Sequence, residues 1–199
     1  DKKFRPVILM EYVKNGTLNK ILSLERENKG LKILNDTQRL VNIYGIASAM
    51  NHLHSFDIVM KSFNPTKILE DEYLLPKLCD FGQSRLTNDT AIKNNYNSSD
   101  DEKTGEVTKS GNVYSFGLIV YEMMMNKKPL KYAESNYFQL EFDDSLPACY
   151  QQLIKRCCSI NSNERPNFGE ILKEIKNNPD FITEGVIKKD FMIYAQFID

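Results

Sequence analysis

The stretch NVYSFGLIVYEMMM, residues 112–125, constrains the fold of this chain more than any other part of the sequence. Drawn as a helix it is apolar on nearly every side, which is typical of a helix buried at the centre of a helical domain. A second stretch, TQRLVNIYGIASAMNHLHS, follows an Asn35-Asp36 start signal and predicts a long helix with one continuous buried stripe. That stripe consists of Leu40, Ile43, Ala47, Met50 and Leu53. We therefore expect a mainly α fold.

Shorter patterns predict the remaining elements. The segment PVILMEYV predicts a strand, and Thr17 is expected to cap a short helix that ends near Asn28. The apolar pieces IVM, KIL and KLCDF predict a few short strands or loops. Residues 86–111 are the least apolar part of the chain and predict an exposed loop. Further helices are expected over residues 148–159 and 167–177 and from about residue 183 to the end.

Composition excludes several classes of function. The formal net charge is -1, so no general attraction to nucleic acid or to an anionic membrane is expected. No run approaches ~20 apolar residues, the length that spans a bilayer. The four cysteines form no C-x-x-C pair, which favours buried thiols in a reducing compartment and, by default, a cytoplasmic location. His52 and His54 have no other ligand-type residues nearby in sequence, so we do not expect a zinc site.

Five segments in order carry a resemblance to a known family. LCDFGQSR resembles the metal-binding D-F-G segment of protein kinases, and IVMKSFNPTKIL upstream resembles their catalytic loop, I-V-H-R-D-L-K-P-x-N-I-L. LMEYVKNGTL resembles the hinge strand that meets adenine, residues 111–130 resemble the central helix and the turn after it, and NERPNFGEIL resembles the R-P-x-F segment. The chain is therefore similar to the eukaryotic protein kinase domain, and most like the tyrosine-kinase-like group.

The resemblance implies the C-terminal, large lobe of the kinase fold. It assigns residues 1–180 to a partial kinase domain (hinge and large lobe) and residues 181–199 to a C-terminal helical extension. No G-x-G-x-x-G loop and no V-A-I-K-like strand are found in this sequence, so the small N-terminal β lobe is expected to be largely absent. A fragment and the product of a shortened gene both remain open.

The catalytic loop departs from the family pattern at every position that matters for chemistry. Met60 stands where the family has His, and Lys61 where it has Arg, which keeps the charge but loses the bidentate fork. Ser62 replaces the Asp that acts as general base, a role worth ~10²–10⁴ in rate. Asn64 replaces the Lys that steadies the γ-phosphate, and Lys67 replaces the Asn that binds the second magnesium.

Asp80, the aspartate of D-F-G, is retained. It either holds one magnesium or is kept for the shape of the Asp-Phe-Gly turn, and the degenerate loop favours the second interpretation. An ammonium repels a metal cation, so Lys67 is expected either to form an ion pair with Asp80 or to point into solvent. These two alternatives stay open at this point.

The resemblance also implies structural and nucleotide-facing residues. Phe81, Gly82, Asn112 and Arg165 would support the lobe, and Asp100 is expected to pair with Arg165 if Tyr96 aligns with the tyrosine before the family's A-P-E motif. Asn112 stands where the family has Asp, and keeps hydrogen-bonding capacity without the charge. The adenine side would consist of Met10 as gatekeeper, the backbone of Glu11 to Val13, and Leu69 beneath the ring.

Three functions follow from this pattern. The first is a catalytically impaired pseudokinase that binds protein partners, with weak use of ATP and Mg²⁺ as cofactors or none. The second is a Ser/Thr protein kinase that transfers the γ-phosphate of ATP and is seen here as a fragment. The third is a decayed kinase fragment without a selected role.

Overall fold

The computed structural model describes residues 9–80, 85–86, 96, 98, 107–131 and 138–198. Within these residues the helices are α1 (Leu18–Glu27), α2 (Asp36–Ser55), α3 (Lys109–Met125), α4 (Ala148–Cys157), α5 (Phe168–Asn177) and α6 (Lys188–Ile198). The strands are β1 (Ile58–Val59), β2 (Ile68–Glu70), β3 (Pro76–Leu78), β4 (Arg85–Leu86), β5 (Leu130–Lys131) and β6 (Phe138–Gln139). The expected fold class, mainly α with a few short strands, is confirmed.

Helix α3 lies at the centre of the core, as its apolar sequence predicts. Every residue from Gly111 to Met123 is buried. Helix α4 packs along α3, while α2 packs against α5 and α6. The core is therefore continuous from α1 to α6, and residues 181–199 contribute the fully buried side chains of Phe181, Phe191 and Ala195 to it.

The two N-terminal helices begin where side-chain capping predicts. The Thr17 side chain accepts a hydrogen bond from the Lys20 amide at the start of α1. At the start of α2, Asn35 and Gln38 form a capping box, in which each side chain bonds to the other residue's backbone amide. Helix α2 differs from the predicted single stripe, because Arg39 to Ala47 are buried on every face by the helices around it.

The strands form three small antiparallel pairs: β1 with β4, β2 with β3, and β5 with β6. Strands β1, β2 and β3 fall on the pieces IVM, KIL and KLCDF, for which short strands or loops were predicted, while β4 was not predicted. The N-terminal strand prediction is wrong for Leu9 to Val13, which carry no ladder hydrogen bonds and are exposed except for Val13. Its first residues, 6–8, lie outside the described part of the chain, as does most of the predicted loop.

The prediction of an exposed loop is wrong at the C-terminal end of its range. Lys109 to Gly111 form the first turn of α3, because the Thr108 side chain caps the helix by accepting a hydrogen bond from the Gly111 amide. All four cysteines are free thiols. Within the described residues, no helix combines the length and the apolarity that crossing a membrane requires.

Candidate functional site

The segment from Met60 to Lys67 forms a loop between two strand pairs. Strand β1 enters the loop and is paired with β4, and β2 leaves it and is paired with β3 through the register Ile68 to Leu78. The Cys79 amide extends the second ladder by donating to the Lys67 carbonyl at 2.9 Å. This register places Lys67 next to the residue that precedes Asp80, so the end of the loop meets the end of β3.

The entry of the loop is anchored to helix α3 by a neutral amide. Met60 is buried, and its backbone N–H donates to Asn112 Oδ1 at 2.9 Å. Asn112 Nδ2 donates in turn to the Met60 carbonyl at 2.8 Å. A carboxylate at position 112 could accept the first bond but could not donate the second. Asn112 therefore holds both polar groups of one buried peptide residue without introducing a charge.

His54 also contacts Asn112. Its Nε2 is 3.3 Å from Asn112 Oδ1, and its ring packs edge-on against Phe168 with centroids 5.0 Å apart. Burial, reinforced by the charge of Lys109, lowers the pKa of His54 to about 4, although the contact with Asn112 opposes this shift. The imidazole is therefore neutral at pH 7, and the anchor is uncharged throughout.

Ser62 and Asn64 lie in the middle of the loop. Ser62 is half-buried and adopts a left-handed backbone conformation with φ of 60°. Its carbonyl accepts a hydrogen bond from Asn64 Nδ2 at 2.6 Å, while Asn64 Oδ1 accepts from the amide and the hydroxyl of Thr66. Asn64 thus caps the short 3₁₀ helix Pro65–Lys67, a structural role that its polarity alone did not reveal.

The exit of the loop carries an ion pair. Lys67 Nζ contacts Asp80 Oδ2, with the lysine side chain 20% exposed and the aspartate side chain 50% exposed. Of the two alternatives for Lys67, the structure shows the ion pair rather than a side chain directed into solvent. Asp80 also has a left-handed backbone, with φ of 62°. The ammonium occupies one oxygen of the carboxylate that the resemblance assigns to magnesium.

Lys67 and Asp80 together do not form a metal site. An ammonium has no lone pair for a cation and repels it. Within the described residues, no group of three or more His, Cys, Asp or Glu side chains is arranged to hold a metal ion. The residues present therefore do not fit the two-magnesium arrangement that the kinase resemblance implies.

The predicted adenine-side residues are only partly brought together. Met10 and Glu11 are exposed, and Glu11 forms an ion pair with Lys77 at 2.9 Å on strand β3. The Val13 carbonyl accepts the amide of Gly16 in a turn at 3.4 Å. Leu69 is half-buried and forms a bridge with Thr17 at the start of α1. The hinge segment and β2 therefore meet, while the Met10 side chain stays exposed.

Arg165, for which the resemblance implies a supporting role, is buried. Its Nε donates to the Ser159 carbonyl at 2.9 Å, and its guanidinium lies 4.9 Å from the centre of the Tyr114 ring. The expected partner Asp100 lies outside the described residues, as do Phe81 and Gly82. Lys61 is buried at the start of the loop. The proposed pairing of Asp100 with Arg165 stays a prediction.

Sequence reasoning missed a polar cluster that joins α1, α3 and Tyr96. Glu122 is fully buried in α3, accepts a hydrogen bond from Arg26 at 2.8 Å, and accepts another from the hydroxyl of Tyr96. Burial, with the adjacent carboxylate, raises the pKa of Tyr96. A single acidic residue within an otherwise apolar helix was the available signal, since a buried charge requires a partner.

The comparisons with known proteins agree with this geometry. The family model described as "protein kinase domain" matches residues 1–175. A putative serine/threonine-protein kinase/receptor of Acanthamoeba polyphaga mimivirus is 26% identical over 191 residues, covering 87% of this chain and 11% of the relative. The dual specificity protein kinase pyk3 of Dictyostelium discoideum is 30% identical over 186 residues, covering 86% of this chain and 14% of the relative.

A plant relative shows the same partial coverage. Wall-associated receptor kinase-like 3 of Arabidopsis thaliana is 27% identical over 209 residues, covering 87% of this chain and 28% of the relative. The chain thus spans well under two thirds of the curated relatives it matches. The family match extends over the hinge, the loop, Asp80, α3 and Arg165, which are the segments that carry the resemblance. The chain belongs to the protein kinase domain family.

Proposed function

We propose that this protein kinase domain is a catalytically impaired pseudokinase of the tyrosine-kinase-like group, acting as a binding and signalling module. The ion pair between Lys67 and Asp80 is the observation that carries the proposal. Phosphoryl transfer requires metal ions to neutralise the developing charge on the phosphates. A lysine on the metal-binding carboxylate opposes that step.

The loop supports the same conclusion at two further positions. The Ser62 hydroxyl is a very weak base and cannot take the proton of a substrate hydroxyl, as a carboxylate does. Asn64 is committed to its own backbone cap and brings no positive charge to the γ-phosphate. ATP and Mg²⁺ are accordingly expected to bind weakly or not at all.

The intact scaffold favours a binding role over a decayed fragment. The core is continuous, and two of the three buried acidic residues that the structure describes, Glu25 and Glu122, have arginine partners. A chain that had lost all selection would accumulate unpaired charges and cavities there. Protein partners are the proposed ligands, and the four free cysteines, two of which are buried, fit a reducing, cytoplasmic location.

An active Ser/Thr kinase is the second candidate. It is favoured by the retained Asp80 and by relatives that are named as serine/threonine-protein or dual specificity kinases. This candidate requires Lys67 to leave the carboxylate when a metal arrives. The two candidates therefore differ in the response to Mg²⁺.

The test is a thermal-shift titration of the 199-residue chain with ATP, with Mg²⁺ or with a chelator. For a pseudokinase we expect a cooperative melt that Mg²⁺-ATP does not raise. Lys67→Asn, which supplies a ligand oxygen, should gain a Mg²⁺-dependent rise in Tm. Lys67→Met, which removes the charge without supplying a ligand, is the matched control and should gain little.

A phosphotransfer assay with radiolabelled ATP completes the test. Transfer by the unmodified chain that disappears in Asp80→Ala would overturn the proposal in favour of an active kinase. A non-cooperative melt of the unmodified chain would instead favour the decayed fragment. A cooperative melt without a nucleotide response would direct the search to protein partners.

A further inference from the structure

Glu70 is a fully buried acid that has no hydrogen-bond donor among the described residues. Its residue is 0% exposed at the end of strand β2, and neither Oε1 nor Oε2 receives a hydrogen bond from the described residues. The other two buried acids in the described part of the chain differ, because Glu25 is paired with Arg39 and Glu122 with Arg26. A carboxylate buried without a partner is among the costliest arrangements in a protein interior.

A second buried polar group without a complete set of hydrogen bonds, the amide of Asn42, lies next to Glu70. Asn42 Nδ2, on helix α2, donates to the Gln38 carbonyl at 3.0 Å and to the Leu74 carbonyl at 2.9 Å. These two bonds fix the orientation of the amide, since a flipped amide would set oxygen against both carbonyls. Asn42 Oδ1 is then left buried without a donor among the described residues, and the Asn42 side chain neighbours the Glu70 carboxyl.

A single proton on Glu70 would give both the Glu70 carboxyl and Asn42 Oδ1 a hydrogen bond. A neutral carboxylic acid has an O–H that can donate to Asn42 Oδ1, whereas a carboxylate would set acceptor against acceptor. We propose that Glu70 is a buried proton switch, in which the neutral acid hydrogen-bonds to Asn42 and fastens strand β2 to helix α2, and loss of the proton releases this contact. The proposal concerns the scaffold and does not depend on the fate of phosphate transfer.

The charges around Glu70 favour the neutral form. Burial raises the pKa of Glu70 to about 8 although the neighbouring Asn42 amide opposes this shift, and the carboxylate of Asp71 on the same turn raises it further. From helix α6 the site is faced by Tyr194, whose pKa burial and these two acids raise to about 12. From β3, Lys77 is engaged in its ion pair with Glu11 and is partly exposed to water, so it does not offset the burial of Glu70.

The backbone of Glu70 is hydrogen-bonded to the turn at the end of the hinge segment. The Glu70 amide donates to the Gly16 carbonyl at 2.8 Å, and the Asn15 amide donates to the Glu70 carbonyl at 3.3 Å. Gly16 has φ of 75°, a conformation that favours glycine and makes the turn tight. Charging Glu70 therefore loosens the residue that holds the hinge turn, and the Asn15 and Glu70 amides should exchange faster with solvent.

The sign of the pH effect follows from the raised pKa. Between pH 4.5 and about 8 the folded chain keeps the Glu70 proton and the unfolded chain loses it, so stability falls as pH rises. Relative to Glu70→Gln, the folding equilibrium constant of the unmodified chain should fall by about tenfold for each pH unit in this window. Glu70→Gln keeps a neutral donor for Asn42 Oδ1 and should show no such slope.

The experiment is denaturant unfolding of both chains across this pH range, with Glu72→Gln as the control. Glu72 is an exposed neighbour whose replacement should leave the pH slope unchanged. An identical slope for the unmodified chain and Glu70→Gln would overturn the proposal.

Infrared difference spectroscopy of the unmodified chain gives a readout that does not need the variant to fold. A protonated carboxylic acid band should be present at neutral pH and should disappear as the pH passes the Glu70 pKa. Absence of that band at neutral pH would equally overturn the proposal.

Discussion

The two ends of the loop from Met60 to Lys67 are held in opposite ways. The entry is buried, uncharged and fixed to α3 by two hydrogen bonds from one amide. The exit is partly exposed and is held by a charged pair that neutralises Asp80. Different side chains therefore position the loop and carry its charge, since Asn112 holds the entry without a charge and Lys67 pairs with Asp80 at the exit.

The largest expected effect on stability comes from removing the two hydrogen bonds of Asn112 that anchor the entry of the loop. Asn112→Ala leaves the Met60 N–H and C=O buried without partners, at about 1–3 kcal/mol for each unsatisfied group. We expect a loss of about 2–4 kcal/mol in the free energy of unfolding, measured with denaturant. Ser115→Ala, on the same helix, removes a hydroxyl that bonds outside the loop and should cost clearly less. Equal losses would mean that the entry is not specially anchored.

A second effect on stability comes from His54, which is uncharged at the entry of the loop. The lowered pKa of His54, about 4, means that between pH 6.5 and 4 the unfolded chain binds a proton that the folded chain does not. Stability should therefore fall as pH drops through this window, by up to about 1.4 kcal/mol per pH unit, and stay level with respect to His54 above it. His54→Gln should flatten this acid-side slope, as followed by denaturant unfolding.

A substitution at Asn112 tests directly whether this residue controls the pKa of His54. Asn112→Asp places a carboxylate beside the imidazole and should raise the pKa of His54, which NMR titration of the ring follows directly. His52, exposed on the same helix, serves as the internal reference. A His54 pKa that does not move would show that the ring is not coupled to residue 112.

Much of the scaffold could be predicted from local sequence. The apolar stretch 112–125 predicts a central helix because no face of it can be exposed, and Asn35 and Thr17 mark helix starts through hydrogen bonds within a few residues. The ion pair of Lys67 with Asp80 was one of two open alternatives, since the replaced metal ligand indicated it. In each case the decisive interaction is local or is implied by the family pattern.

The missed residues depend on contacts that are remote in sequence. Glu122 is satisfied by Arg26, which lies 96 residues away, so no local pattern identifies the pair. Glu70 follows two apolar residues in a short strand, and its burial depends on the packing of α2 and α6 around it. Sequence patterns report what a residue is, whereas the cost of its charge depends on what is packed against it.

The smallest expected effect lies between the two ends of the loop, at Ser62. Its left-handed backbone is unfavourable for any residue with a Cβ, and Gly removes that penalty at the cost of greater freedom in the unfolded chain. Ser62→Gly should therefore raise the free energy of unfolding by about 0.5 kcal/mol, measured with denaturant. Ser62→Ala removes the hydroxyl but keeps the Cβ, so it should give no gain. Equal values for the two variants would show that the loop relaxes freely at Ser62, and that its conformation is not imposed by the anchored entry and the paired exit.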